Sequence, residues 1–144
     1  MSSLVIGRTP AQIGAMTTSS VAQLGASDVN AHTTAQTAAL TAAQLDALTT
    51  PALDAFGGPQ ISAVTANAIA GLSASQAANL TGTELAEFTT SQTQALPIVD
   101  VNGLDQTDLA SVIVAALTSR QITGLSTGAV ADLTTTQVGV LSAM

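Results

Sequence analysis

Few side chains in this chain could do chemistry, and the densest group falls in one stretch. DVNGLDQTD (100–108) gathers Asp100, Asn102, Asp105 and Asp108 around a glycine. Carboxylate and amide oxygens at a turn are the ligands a hard cation such as Ca²⁺ takes. The spacing departs from an EF-hand loop: Leu104 stands at the fifth position and no bidentate glutamate follows. Ca²⁺ is therefore the one cofactor the residues suggest. Against it stands a plainer reading, in which Asp100 and Asp105 cap helices.

His32 is the only histidine, with Ser27 and Asp28 just before it. A Ser–His–Asp relay also needs an oxyanion site, and nothing in the sequence supplies one. A polar residue tolerated at an inward position, or marking a bend, is the preferred reading. Glu84 and Glu87 are spaced as a helical i, i+3 pair. Acid–base work would require surroundings that separate their pKa values; helix capping by Glu84 and solvation of Glu87 account for them more simply. No catalytic residue is assigned, and the chain reads as a non-enzyme.

The elements that would position these residues follow from a repeat. From Thr9 the chain reads in octads: TPAQIGAM, TTSSVAQL, GASDVNAH, TTAQTAAL, TAAQLDAL and onward without a gap to DQTDLASV (105–112). IVAAL (113–117) interrupts the frame, which resumes as TSRQITGL (118–125), STGAVADL and TTTQVGVL, with SAM opening a further unit. The organisation is thus an N-terminal segment 1–8, octads over 9–112, an insertion at 113–117, and octads with a partial unit over 118–144. Position 8 is Leu, Met, Phe or Val in fifteen of the sixteen octads, His32 being the exception, and position 5 is aliphatic in thirteen.

Position 1 is usually Thr or Ser, and position 4 is often Gln, Glu or Asp. The first type caps a helix start and the second completes a capping box. A continuous helix is excluded by phase, because eight residues advance it by about 800° and the apolar positions would spiral around the axis. Pro10, Pro51, Pro59 and Pro97 all fall at positions 1 to 3, where a first turn accepts proline. The repeat therefore predicts an all-α solenoid of short helices, one per octad, with positions 5 and 8 inward and small residues at position 7 allowing close approach. The alternative is a β-solenoid. It suits Thr-rich repeats, but strand residues sharing a face are two apart and not three, and Ala and Gln form strands poorly. Leu96–Val101 and Val112–Ala115 are the most strand-like segments. Asp105–Leu117 reads better as one longer helix capped by Asp105, with SVIVAAL (111–117) in its core rather than as a partner-facing patch.

Composition sets limits on partners. The 144 residues carry a net charge of −7, with Arg8 and Arg120 the only strong bases. That excludes a nucleic-acid footprint and docking on anionic membranes. Hydrophobic residues reach 47%, yet there is no Trp or Tyr and only two Phe, so the core must be layered Ala, Leu, Ile and Val. Without cysteine there is neither a disulfide nor a thiolate metal site. No apolar run approaches the ~20 residues of a membrane span, and the first twelve residues do not form a secretory signal.

The runs LTAAQLDALTT (40–50), LTSRQITGLST (117–127) and LTTTQVGVLS (133–142) resemble the LTTAQIAAL-type octapeptide arrays of very large bacterial secreted and surface proteins, adhesins and RTX-like proteins among them. The resemblance covers nearly the whole chain. It implies a bacterial protein outside the cell or on its surface, and it carries over no ligand and no catalytic residue.

Solenoids that stay monomeric end in polar caps. Here the outer octads are as apolar as the inner ones. The expectation is a self-assembling filament or surface-layer subunit, a homopolymer stacked head to tail through Leu4, Val5, Ile6, Ile13, Met16, Val138 and Leu141, with 1–8 as a docking arm. An adhesin or spacer segment of a larger surface protein is the alternative, and a Ca²⁺- or ligand-binding solenoid is a further one.

Overall fold

The computed structural model of the chain describes residues 4–143. Every regular element among them is helical, and the architecture is an all-α solenoid of short helices. It divides into two compact halves, Met1–Leu72 and Ser73–Met144, although length alone suggests one domain. A solenoid has no single centre, because each repeat packs only on its neighbours.

The first half contains α1 (Pro10–Gly14), α2 (Thr18–Val21), α3 (Ala26–Asn30), α4 (Thr34–Ala38), α5 (Ala42–Ala47), α6 (Thr50–Leu53), α7 (Gly58–Ala63) and α8 (Ala66–Ile69). The second contains α9 (Ala74–Ala77), α10 (Gly82–Ala86), α11 (Thr90–Ala95), α12 (Ile98–Val101), α13 (Gln106–Leu109), a 3₁₀ turn (Val114–Ala116), α14 (Ser119–Thr123), α15 (Thr127–Asp132) and α16 (Thr135–Leu141).

Each helix starts where the octad says it should. Thr9, Thr33, Thr41, Thr81, Thr89, Thr118 and Thr134 are N-caps whose hydroxyls accept from the N–H three residues on, while Gln or Glu at that residue accepts from the cap's own N–H. Such a cap is worth about 1 kcal/mol, which matters where nucleation is costly and a helix has barely one turn. The corner needs no glycine. Leu48 (φ −67°, ψ 142°) and Thr49 (φ −71°, ψ 153°) are both extended, so positions 8 and 1 together swing the chain into the next helix. Among the described residues only Gly7 has a positive φ, at 80°.

Three repeats make one coil. In the first half α1 packs on α4, α2 on α5, α3 on α6, α4 on α7 and α5 on α8. Position 2 of one repeat then meets position 7 of the repeat three later. A Cβ added to Gly71 would lie 2.5 Å from the Ala42 Cβ, and one added to Gly124 would lie 2.9 Å from Ile98 Cγ1. Small residues at these positions set the spacing between coils.

The second half follows the same rule with one adjustment. α9 packs on α12 and α10 on α13, then α11 packs on the 3₁₀ turn, α13 on α15, and the turn on α16. The segment 113–117 therefore holds a full place in the coil, as a repeat shortened by three residues. The long helix expected over Asp105–Leu117 does not form: α13 ends at Leu109 and the 3₁₀ turn starts separately at Val114. A continuous helix would carry the chain past the corner and leave α11 and α16 without the neighbour they share. Val112, Val114, Ala116 and Leu117 are buried and Ile113 is 42% exposed, so most of the SVIVAAL run is core. The strand-like segments are also helical, Leu96–Val101 giving α12 and Val112–Ala115 entering the 3₁₀ turn.

Candidate functional site

The most regular polar feature is a ladder of buried glutamines at position 4. Gln36, Gln44, Gln60, Gln76, Gln92, Gln121 and Gln137 are all buried. Buried amides must satisfy both ends. Gln44 Oε1 accepts from Thr41 N–H at 2.9 Å, closing its own capping box. Its Nε2 donates to the carbonyls of Ile13 (2.9 Å), Gly14 (3.3 Å) and Met16 (2.8 Å). Gln60 Nε2 donates likewise to Val29 (3.0 Å) and His32 (2.6 Å), and Gln36 Nε2 to Val5 (3.2 Å) and Arg8 (2.8 Å).

The acceptors are positions 5 and 8 of the repeat four places earlier, joined for Gln44 by position 6, Gly14. These are carbonyls at the end of a helix, which have few partners of their own. One side chain thus caps the start of its own helix and the end of another. In the first half the separations are 31 and 28 residues. Gln121 reaches Thr93 and Leu96, and Gln137 reaches Leu109 and Val112, at separations of 28 and 25. The shortfall of three residues is what a five-residue repeat counted as one place requires. Sequence reasoning found the capping half of this role and missed the other half, along with the burial of position 4.

Residues 4–8 obey the same register. Val5 is fully buried, Leu4 N–H donates to Asp28 Oδ1 at 2.8 Å, and Gln36 holds the Val5 and Arg8 carbonyls. This segment sits on its own chain as one more repeat. Of the residues expected at an assembly surface, Val5 and Ile13 are therefore fully buried, while Leu4, Ile6 and Val138 are 45%, 72% and 48% exposed. Met16 and Leu141 are half-buried.

Position 5 reveals a polarity. The residue is buried in every octad from Ile13 to Leu109, whether aliphatic, Thr37, Ala77 or Thr93. In the last coil Ile122 is half-buried and Val130 is 50% exposed, like Val138. The side chain at position 5 is thus covered by later repeats, whereas Gln at position 4 reaches back to earlier ones. Gln12 is accordingly exposed, its Oε1 accepting from Thr9 N–H at 2.8 Å.

The candidate chemical residues are committed to local structure or kept apart. His32 is buried beside Phe56 (ring centroids 6.5 Å), and neither imidazole nitrogen has a hydrogen-bond partner. Burial pushes its pKa below the usual imidazole value, partly opposed by the nearby Val29 main chain and the charge of Asp28. Both Asp28 oxygens accept main-chain N–H groups, from Leu4 and Gly25, and Ser27 is exposed. No Ser–His–Asp relay is assembled. Glu84 is buried and accepts from Thr81 N–H and Oγ1, both at 2.8 Å, while Glu87 is exposed.

Three of the four oxygen-bearing residues of 100–108 are situated separately, and the fourth, Asp108, lies half-buried in α13. Asn102 donates to the Gly124 carbonyl at 3.0 Å and accepts from Ser126 N–H at 2.8 Å. Asp105 caps α13, accepting from Asp108 N–H at 2.9 Å. Asp100 is buried with Oδ2 unpartnered, and burial raises its pKa. The reason is local: its cap residue is Pro97, which has no N–H to give. Among the described residues no three His, Asp or Glu side chains are grouped to hold a metal ion. No described helix is long and apolar enough to cross a membrane.

Compared with known protein families, curated proteins and solved structures, the chain has no match in any of the three.

Proposed function

We propose that this chain is a non-enzymatic structural protein, a bacterial extracellular subunit that self-assembles by stacking coil on coil into a filament or surface layer. The observation that carries this reading is the position-5 row. It is buried up to Leu109 and then surfaces as half-exposed Val130 and Val138. Through the earlier repeats the position-5 row is buried under later coils of the same design, and that self-complementary contact is one a second copy can offer. The buried polar side chains point the same way, since most of them cap helices and five, Gln36, Gln44, Gln60, Gln121 and Gln137, also join coils. A heterologous contact of this kind does not close on itself and so propagates. The location outside the cell rests on the resemblance of the octads to bacterial surface arrays.

A second reading, a spacer segment within a larger adhesive surface protein, draws on that resemblance and on the unbroken frame of the octads. Static light scattering of the 144-residue chain over a wide concentration range separates the two. A weight-average mass that climbs without a plateau is the result expected for self-assembly; a constant monomer mass contradicts it.

A further inference from the structure

One buried side chain of the first half answers to no other group. His32 is 5% exposed, and neither ring nitrogen has a hydrogen-bond partner. It stands at position 8 of its octad, where the other octads carry Leu, Met, Phe or Val. The ring lies beside Phe56, which holds position 8 of the octad three places later, so the two side chains meet where α3 packs on α6. The same residue takes part in a joint through its main chain. Gln60 Nε2 donates to the His32 carbonyl at 2.6 Å and to the Val29 carbonyl at 3.0 Å. Imidazole and joint therefore share one corner of the coil.

We infer that His32 is an acid trigger built into this contact: when the imidazole takes up a proton, the ring leaves Phe56, the Gln60 joint lets go, and the coil opens between α3 and α6 while the second half stays folded. An imidazolium carries two N–H donors and needs acceptors for both. The Val29 carbonyl already takes the His32 N–H at 3.0 Å and Gln60 Nε2, which fills its two lone pairs. Asp28 attracts the charge, but no hydrogen bond joins it to the ring, and its oxygens hold the N–H groups of Leu4 and Gly25. The other charged groups on the segments packed here are Asp54, after α6, and Arg8. Asp54 is exposed, and the exposed Arg8 guanidinium donates to the Leu4 carbonyl at 2.6 Å. The neighbouring helices α2, α4 and α7 carry no charge. A buried charge without a partner is costly, so the protonated ring favours an open corner. Repeats held only by their neighbours can open there without global unfolding. Because burial keeps the folded ring neutral, the contact is complete above the ordinary imidazole value of about 6.5 and is lost as pH falls below it.

Hydrogen–deuterium exchange of the full chain tests this between about pH 7.5 and about pH 5.5, the range in which a histidine changes charge, after correction for the intrinsic pH dependence of exchange. The opening equilibrium in peptides covering 25–32 and 49–60 should rise by up to about tenfold per pH unit, the limit for one proton. Peptides from 73–144, which contain no histidine, should not change. His32→Leu should keep the protection seen at neutral pH and remove the acid response. The histidine is unique, so its ring resonances titrate alone in NMR spectra of the unmodified chain, which gives a readout that needs no variant. They should titrate below about 6.5, in step with the loss of protection. A ring that titrates at the ordinary value, protection unchanged in acid, an equal loss in both halves, or the same loss in His32→Leu each overturns the trigger.

Discussion

Replacing Gln44 with Glu separates the two duties of the ladder. The carboxylate still accepts from Thr41 N–H, so the capping box survives. It can no longer donate to Ile13, Gly14 and Met16, whose carbonyl oxygens lie 2.8–3.3 Å from the amide nitrogen. The side chain is 2% exposed, so water cannot easily replace the lost donor. Each buried group left without its partner costs about 1–3 kcal/mol. The Ile13 carbonyl also accepts from Met16 N–H, which places its share at the low end. Apposing a buried charge to carbonyl oxygens adds to the penalty. The sum is about 3 kcal/mol, or roughly 10 °C in melting temperature for a chain of this size. The control is Gln12→Glu, the same chemical change at an exposed position, expected to cost under about 0.5 kcal/mol at low protein concentration. Urea titrations followed by circular dichroism at 222 nm give both values. Equal losses at 12 and 44, or none at 44, would refute the claim that position 4 joins coils.

Protonation provides two further checks of opposite sign. Burial lowers the pKa of His32, so the unfolded chain takes up protons that the folded chain refuses. Stability should be fully present above the ordinary imidazole value of about 6.5 and fall as pH drops below it; His32→Leu, which restores the usual position-8 residue, should remove this slope in melting curves between neutral and acid pH. Asp100 has a raised pKa, so the folded chain holds its proton more tightly. Its destabilising effect should be absent in acid and appear as pH rises through the ordinary carboxylate range. Asp100→Asn should then gain about 1 kcal/mol at neutral pH and little in acid, and Pro97→Thr, which restores a cap N–H, should give part of the same gain. Gly71→Ala places a Cβ 2.5 Å from Ala42 Cβ and should lower stability by about 1–3 kcal/mol through overpacking, measured by thermal melts.

Much of this architecture was legible in the octad. Caps at position 1, prolines in the first turn and apolar residues at positions 5 and 8 all appear where local chemistry demands them. The number of repeats per coil was not legible. Near-identical octads leave no superperiod, and the coil is defined by contacts between repeats three apart. The buried glutamines escaped for a related reason. A polar residue at position 4 satisfies a capping box within its own octad, and its second partner lies 25–31 residues away. IVAAL was misjudged because a short apolar run after a capped helix reads as its continuation. Only the place it holds between α11 and α16 identifies it as a shortened repeat. The oxygen-rich stretch at 100–108 drew attention by composition, yet its residues are dispersed by the octad phase, which turns Asp100 inward and sets Asp105 at a cap.

The central claim, that the exposed position-5 face exists to be covered by another coil, is tested most directly by electron microscopy of the concentrated, unmodified chain. The account predicts unbranched fibres of uniform width that lengthen with concentration and are lost with Val138→Asp. A field of separate particles of one size at every concentration would contradict it.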